Sequence, residues 1–511
     1  MSLPPSSLPF EAPPARPAAP AALPRLTRTA RQRLAVALGL GALAQLLLDR
    51  PRWGVSFPLV MGAFLAALAC LGGREAWHRA RPNAWLLAPL VGVSGFVAVR
   101  ASPWLTTLNV LTAGVLVLML AHFWAAGRVQ RLGLWGYPRV VLSSFWRGLF
   151  HPLPLVRDSV DMRAAGRLAP RVLPFVRGLL IVVPVLGVFA GLLTSADVAF
   201  DAAVGRLWAV DLGQLLGDTV SWTVGMLVFS TACAAVMGHA LRRRAVWDAP
   251  ELGDTEVAPA TPRLGLTEAL MLVLGVDALF LVFAGFQVAY LFVGAATSPA
   301  PGYTYAEYAR RGFFELMLVS MLTLGLVMAL ARWTRRETPV ARVAFQVGTS
   351  LMVALTLVIV ASAVQRMALY EDAYGYTRLR LFTHVFMVAL GGVLAWRGVT
   401  LWWRPERFAV GAFGLALAAV GVVNVINPDA LIVRLNLARD TQEAELDVLY
   451  LAGFLSEDAV PELVRARGDA RLGAGFERAL RERFLVDEDA PTWPEWNLGR
   501  WRAHRALESV R

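Results

Sequence analysis

The chain has 511 residues, 57% hydrophobic and 17% charged, with a mean hydropathy of +0.54, and its apolar residues come in runs of bilayer-spanning length. Those values exclude a soluble globular protein. All 49 basic residues are Arg, and much of the net charge of +12 lies in short loops beside apolar runs, which is an orientation signal and not the basic face of a nucleic-acid binder.

Residues 1–32 form a Pro/Ala-rich segment ending in the basic RLTRTARQR, expected to be disordered and cytoplasmic. Residues 33–126 hold four expected spans, at 33–48, 54–72, 84–99 and 104–126. The first and third, about 16 residues each, are short for a helix crossing ~30 Å. The segment 127–171 reads as a cytoplasmic stretch in which Trp135, Phe145, Trp146 and Phe150 alternate with Arg139, Arg147 and His151; it is either an amphipathic helix at the lipid surface or a loop packed on the bundle. Residues 172–426 carry the main bundle, with spans at 172–194, 219–240, 267–293, 313–332, 344–365, 381–398 and 408–426. The fold expected is therefore an all-α polytopic bundle of about eleven spans with a short helical tail at 427–511.

With the N-terminus inside, the inner loops carry 22 Arg and the outer loops 9, an asymmetry that supports this orientation and the odd span count together, with the tail expected outside. The tail has 12 Arg against 16 Asp+Glu and helical spacing in ELDVLYLAGFL and GFERALRERFL, with Ser456 expected as an N-cap. It is too short for a large core of its own and should dock on the membrane part. Trp493, Trp496 and Trp501 are expected at the interface.

Two polar blocks interrupt the apolar pattern. In TYAEYARRGFFEL, Thr304 and Glu307 form a T-x-x-E capping box, and Thr304, Tyr308, Arg311 and Glu315 share a helical face, with Glu307 able to pair with Arg311. In LYEDAYGYTRLRLF, Glu371, Asp372, Tyr374, Tyr376, Arg378 and Arg380 crowd together, and Gly375 is a break point. If both blocks are outside, carboxylates, guanidinium forks and phenols form one patch for a polar or anionic ligand or a lipid head group. Otherwise they are an aromatic belt with structural ion pairs. Asp277 lies near the middle of a span, a functional-site candidate or a hydrogen-bonded structural acid, with Gln287 and Tyr290 further along the same helix toward the patch. Arg177, His122, His239 and His384 near span ends read as snorkelling or interfacial groups, and GVFAG at 187–191 as a packing motif. Cys70 and Cys233 both sit in apolar runs, so no disulfide framework and no metal or cofactor site is expected. No Walker loop, HExxH or GxSxG occurs, which argues against common enzyme classes, and no catalytic residue is assigned.

FQVAYLF, YAEYARRGFFEL, YGYTRLRLF and NPDALIVRLNL leading to LSEDAVP resemble the bacterial membrane family catalogued as domain of unknown function 4173, close to family 4153, over about residues 265–465. The resemblance implies a multi-pass bacterial membrane protein of unestablished activity, expected in the cytoplasmic (inner) membrane. Asn427 and Asp429 are expected to cap the first tail helix. Three functions fit these readings. The first is a transporter-like or ligand-binding protein with Asp277 on its path. The second is a membrane-embedded transferase or hydrolase on a lipid-linked substrate with Glu307, Glu371 or Asp372 as acid or base. The third is a structural protein that binds an envelope partner through 427–511.

Overall fold

The computed structural model describes residues 27–125, 127–150, 152–159, 212–246, 264–292, 313–439, 446–473, 476–484 and 492–508. Among them all regular structure is helical, apart from one isolated parallel bridge between Leu264 and Thr334. The reason is physical: in hydrocarbon a backbone must satisfy its own N–H and C=O groups, and a helix does this within one segment.

In chain order the helices are α1 Thr27–Leu48, α2 Ser56–Ala80, α3 Leu87–Val99, α4 Pro103–Ala125, α5 Gly136–Phe150, α6 Pro152–Ser159, α7 Leu212–Val246, α8 Leu266–Phe292 and α9 Phe313–Trp333. They continue with α10 Pro339–Tyr374, α11 Arg378–Trp402, α12 Phe408–Ile426, α13 Pro428–Ala438, α14 Val448–Gly453, α15 Val460–Arg465, α16 Phe476–Phe484 and α17 Leu498–Glu508. Among the described residues nine segments are long and apolar enough to cross a membrane, and they coincide with nine of the expected spans. Of the remaining two, 33–48 is the end of the 22-residue α1, which is not among the nine, and 172–194 lies outside the described residues with GVFAG and Arg177. The third expected span is longer than its apolar run suggested, because the candidate segment there is Ala76–Val99, 24 residues.

Two compact units divide the chain, 1–35 with 153–210, and 36–152 with 211–511. In the first, the Arg31 Nε–H donates to the Ser159 carbonyl at 3.1 Å. The second holds three cores. One joins the later part of α1 with α2, α3, α4, α5 and α7, around Leu68, Leu90, Leu116, Met119 and Phe123. Another is built around α10, which packs against α8, α9 and α11 through Phe345, Met352, Ile359 and Ala363. The third belongs to the tail: Ile432, Val433, Leu451, Leu455, Val460, Leu463, Leu472 and Leu480 close around one bundle residue, Leu381. Helix α12 packs on α3 and α4 on one side and on α11 on the other, and so joins the first and second cores.

Residues 136–150 of that segment form the helix α5 and not a loop. Tyr137, Val140, Ser144 and Gly148 form the buried face, while Trp135, Leu142, Phe145, Trp146 and Phe150 are exposed. The helix therefore packs on α4 and α7 and presents an aromatic face outward. His122 and His239 do not snorkel: both rings are buried and stacked 5.7 Å apart, and His122 Nδ1 is 3.2 Å from Ser144 Oγ.

Candidate functional site

Helix α10 has 36 residues, about 54 Å of helix against a hydrocarbon core of ~30 Å, so one end stands clear of the apolar slab. Its last turns carry Tyr370, Glu371, Asp372 and Tyr374. Gly375 then stops the helix at φ 84°, donating its N–H to the Glu371 carbonyl. A Cβ there would meet Asn436 Oδ1 at 2.7 Å, so glycine is required twice over. The break puts Arg378 on α11, away from the Tyr370 and Tyr374 face that a continuous helix would have given it.

The orphan carbonyls at the end of α10 are taken by two arginines. Arg380 donates to the Tyr374 carbonyl at 3.0 Å and to the Gly375 carbonyl, with its guanidinium over the Tyr370 ring at 4.5 Å. Arg439, from the end of α13, donates to the Asp372 and Ala373 carbonyls, each at 2.9 Å. Cations at a helix C-terminus are favoured by its dipole. The Tyr376 hydroxyl donates to Asp372 Oδ1 at 3.0 Å, and burial followed by that acceptor pushes the phenol up to about 12.

Below this cap lies the node that seats the tail. Asp429 is 2% exposed at its side chain and receives Arg378 Nε at 2.6 Å and Nη2 at 2.5 Å. The Ser456 N–H donates to the same carboxylate at 3.0 Å, and so does the Ser456 hydroxyl. Tyr450 Oη accepts the Arg378 N–H at 2.9 Å. Asn436 clasps the turn, accepting from the Tyr376 N–H and donating to its carbonyl, each at 2.9 Å. Two expectations are corrected here. Asn427, in the left-handed region at φ 52°, makes no side-chain cap, and Asp429 serves as counter-charge to Arg378 instead of capping α13. Ser456 stands at an N-cap position, but its hydroxyl turns to Asp429.

A second anchor lies nearby. Asp458 accepts from the Ala101 and Ser102 N–H groups at 2.9 and 3.1 Å, which are free at the start of α4. Burial pushes this carboxyl up to about 6, although Arg100 and the two N–H donors oppose the rise. Arg100 itself donates to the Asn424 and Val425 carbonyls at the end of α12. Asn109 and Asn424 exchange amide hydrogen bonds of 2.8 and 2.7 Å across α4 and α12. Asn497 closes the set, donating to the Val97 and Arg100 carbonyls at 2.8 and 2.9 Å. The segments around 378, 429 and 456, which looked like separate motifs, thus meet as one docking device.

Polar groups of another kind run along the α8–α10 seam. A Cβ on Gly348 would meet Val273 Cγ1 at 2.8 Å, and Ser362 donates to Gln287 Oε1 at 2.7 Å. Both pairs share one sequence offset, so α8 and α10 run parallel and Asp277 is level with Met352. Asp277 is 4% exposed, and neither carboxylate oxygen has a hydrogen-bond partner among the described residues. Toward the clear end of α10, buried Glu371 places Oε2 at 3.2 Å from His384 Nδ1, while its Oε1 has no partner among the described residues. The seam thus holds Asp277 and Gln287 with Ser362, while Glu371 with His384 lies beyond the end of α8, between α10 and α11.

Of the other expected residues, Glu315 is exposed at the start of α9. Glu307, Tyr308 and Arg311, with their capping box, lie outside the described residues, as does the side chain of Tyr290. Among the described residues no group of three or more His, Cys, Asp or Glu is placed to hold a metal. Sequence reading missed Asp458, the Asn109–Asn424 exchange and the His384–Glu371 pair. The buried amides had a signal, an Asn inside an otherwise apolar run, whereas the aspartate had none.

Nine apolar segments of spanning length among the described residues, stitched by buried polar pairs, define a multi-pass integral membrane protein. The chain belongs to the family described as "Domain of unknown function (DUF4153)", whose model matches residues 86–466, a wider stretch than the motifs above covered. No curated protein and no solved structure matches it.

Proposed function

We propose that the protein binds and passes a polar or anionic solute, or a lipid head group, along the α8–α10 seam, with Asp277 as the proton-carrying group. The observation that carries this reading is the Asp277 carboxyl, buried halfway along a spanning helix with both oxygens unpartnered among the described residues. An ionised carboxylate there is too costly to persist without a cation or a proton, so binding and release of one is the chemistry the position favours. Gln287 and Ser362 supply a further polar step along the seam, and Glu371 with His384, between α10 and α11, lies beyond its end. Glu307, Tyr308, Arg311 and Glu315 belong to the proposed mouth, and Arg378 leaves it, because Asp429 already holds its fork.

In a bacterial cytoplasmic membrane, the distribution of Arg supports an orientation with the N-terminus inside and the Glu371 end of α10 outside. A second reading has the tail receive an envelope partner, supported by Leu449 and Phe454, which are 76% and 63% exposed beside the tail core. The enzyme alternative has less support, since Glu371 is engaged by His384 and Asp372 by Tyr376.

Dicyclohexylcarbodiimide, which modifies protonated carboxyls in apolar surroundings, tests the proton-carrying role. Purified protein in liposomes should take up the reagent at Asp277, with the adduct falling as pH rises and absent in Asp277→Asn. Solute-driven proton uptake, read by a trapped pH dye across a panel of anionic solutes, should fail in the same variant. Peptide mapping that finds no adduct at position 277 at any pH would sink the proposal.

A further inference from the structure

At the opposite end of α10 the charge pattern is different in kind. Arg336 lies in the link from α9 to α10, and Arg397 projects from α11 about a turn and a half before its end. Arg397 is 5% exposed, its Nε is buried without an acceptor, and its guanidinium makes no hydrogen bond or ion pair among the described residues. Its guanidinium lies 5.3 Å from the centre of the Phe408 ring. The nearest charge that acts on it is positive: Arg336, half-buried, donating to the Ala331 carbonyl and lying 4.9 Å from the centre of the Phe345 ring. Arg342 adds a third positive charge behind Arg336.

Ordinary snorkelling does not account for this. A snorkelling arginine near a helix end buries its stem and shows its guanidinium to water or head groups, yet here the residue is 5% exposed and its Nε is covered. A guanidinium withdrawn from water without a counter-charge is among the most costly groups a fold can hold, and a second cation beside it raises the cost. Two guanidinium groups close enough to repel each other, one of them buried and without an acceptor among the described residues, match a doubly charged oxyanion, which offers more acceptor oxygens and more charge than a carboxylate. The mouth has the character of a head-group region. Trp403, 61% exposed just past α11, lies under the guanidinium groups of Arg404 and Arg407 at 5.8 and 5.7 Å.

We propose that Arg397 and Arg336 form a binding site for a phosphate group, carried either by an anionic lipid or by a free phosphate. This site is separate from the α8–α10 seam and does not depend on Asp277. Arg397 is the buried fork that fixes the group, and Arg336 closes over it from the α9–α10 link.

The test uses the full chain purified in a neutral detergent, with unfolding followed by intrinsic tryptophan fluorescence. The probes are sodium phosphate, short-chain phosphatidic acid, and sodium chloride at matched ionic strength. Wild type should gain several degrees in Tm with at least one phosphate-bearing probe and none with chloride. Arg397→Met should lose that gain while starting from a higher Tm without the probe, because an unpaired buried charge has been replaced by an apolar side chain of similar length. Arg336→Gln, a change at a half-buried position, should fold normally and bind at least tenfold more weakly. A gain from phosphatidic acid alone assigns the site to a lipid, and a gain from sodium phosphate as well assigns it to a soluble phosphate. The proposal is overturned if neither probe shifts wild type beyond chloride, or if Arg336→Gln keeps the wild-type affinity.

Discussion

Replacing Asp429 with alanine strips the tail of its main anchor, and the structure sets the size of the effect. The carboxylate is 2% exposed and receives both ends of the Arg378 fork together with the Ser456 N–H. Removing one member of a buried ion pair typically costs about 3–5 kcal/mol, and a stranded N–H adds about 1–3. Arg378 is 19% exposed, so water recovers part of that loss, and about 3 kcal/mol is the expected net change. The loss falls on the tail, because the three apolar cores keep their packing. Native-state hydrogen exchange on protein in nanodiscs reads it directly, as the opening free energy of amides in α15 and at Ser456. At ~1.4 kcal/mol per decade, protection there should drop roughly a hundredfold, while amides of α10 stay unchanged. The paired variant Arg378→Met with Asp429→Leu should recover most of it, since neither charge is then left alone. Wild-type protection in Asp429→Ala, or a coupling between the two sites below ~0.5 kcal/mol, would refute the docking role.

Gly499→Ala should detach the end of the tail, since its Cβ would sit 2.2 Å from Asp458 Oδ1 and 3.0 Å from the Ala101 nitrogen; a cost of about 2 kcal/mol or more is expected, read as faster proteolysis after α16. Asp458 should make stability depend on acid pH in an unusual sense. Its carboxyl is pushed up to about 6 from an ordinary 3.8, so the folded chain holds a proton the unfolded chain has lost, and that contribution, full below 3.8, disappears as pH rises through 6. Asp458→Asn should flatten this slope, by roughly 2–3 kcal/mol between pH 4 and 7 in detergent unfolding curves, and an identical slope in both proteins would contradict the assignment. Gly348→Ala should push α8 off α10, because its Cβ falls 2.8 Å from Val273 Cγ1, and Val273→Ala in the same chain should restore the unfolding free energy to within about 1 kcal/mol of wild type.

Some of the candidate site was legible in the chain. Gly375 announced a break, and the structure places the end of α10 there, because a residue at φ 84° cannot continue a helix and only glycine adopts that angle freely. Asp277 stood out as an acid in an apolar run, and its burial follows from its place on the same face as Ala269, Val273, Phe280 and Ala284. Arg378 and Arg380 drew equal notice, yet one is spent on Asp429 and the other on a helix end. Spacing gave no way to separate them, since the difference lies in what α13 brings alongside.

By itself the sequence determined the class of protein and the position of nearly every spanning helix, because lipid forces each crossing to be a self-bonded apolar segment whose length and boundaries are written locally. Tertiary structure alone decided which polar groups are spent and which remain chemically available. Asp429 and Arg378 are 51 residues apart and Asn109 and Asn424 are 315 apart, and a partner at such a distance is chosen by helix packing and not by local pattern. The same packing buries Arg397 beside Arg336 with no described carboxylate between them. Charge is carried by single residues, but its counter-charge is supplied by whichever helix the apolar cores bring into contact.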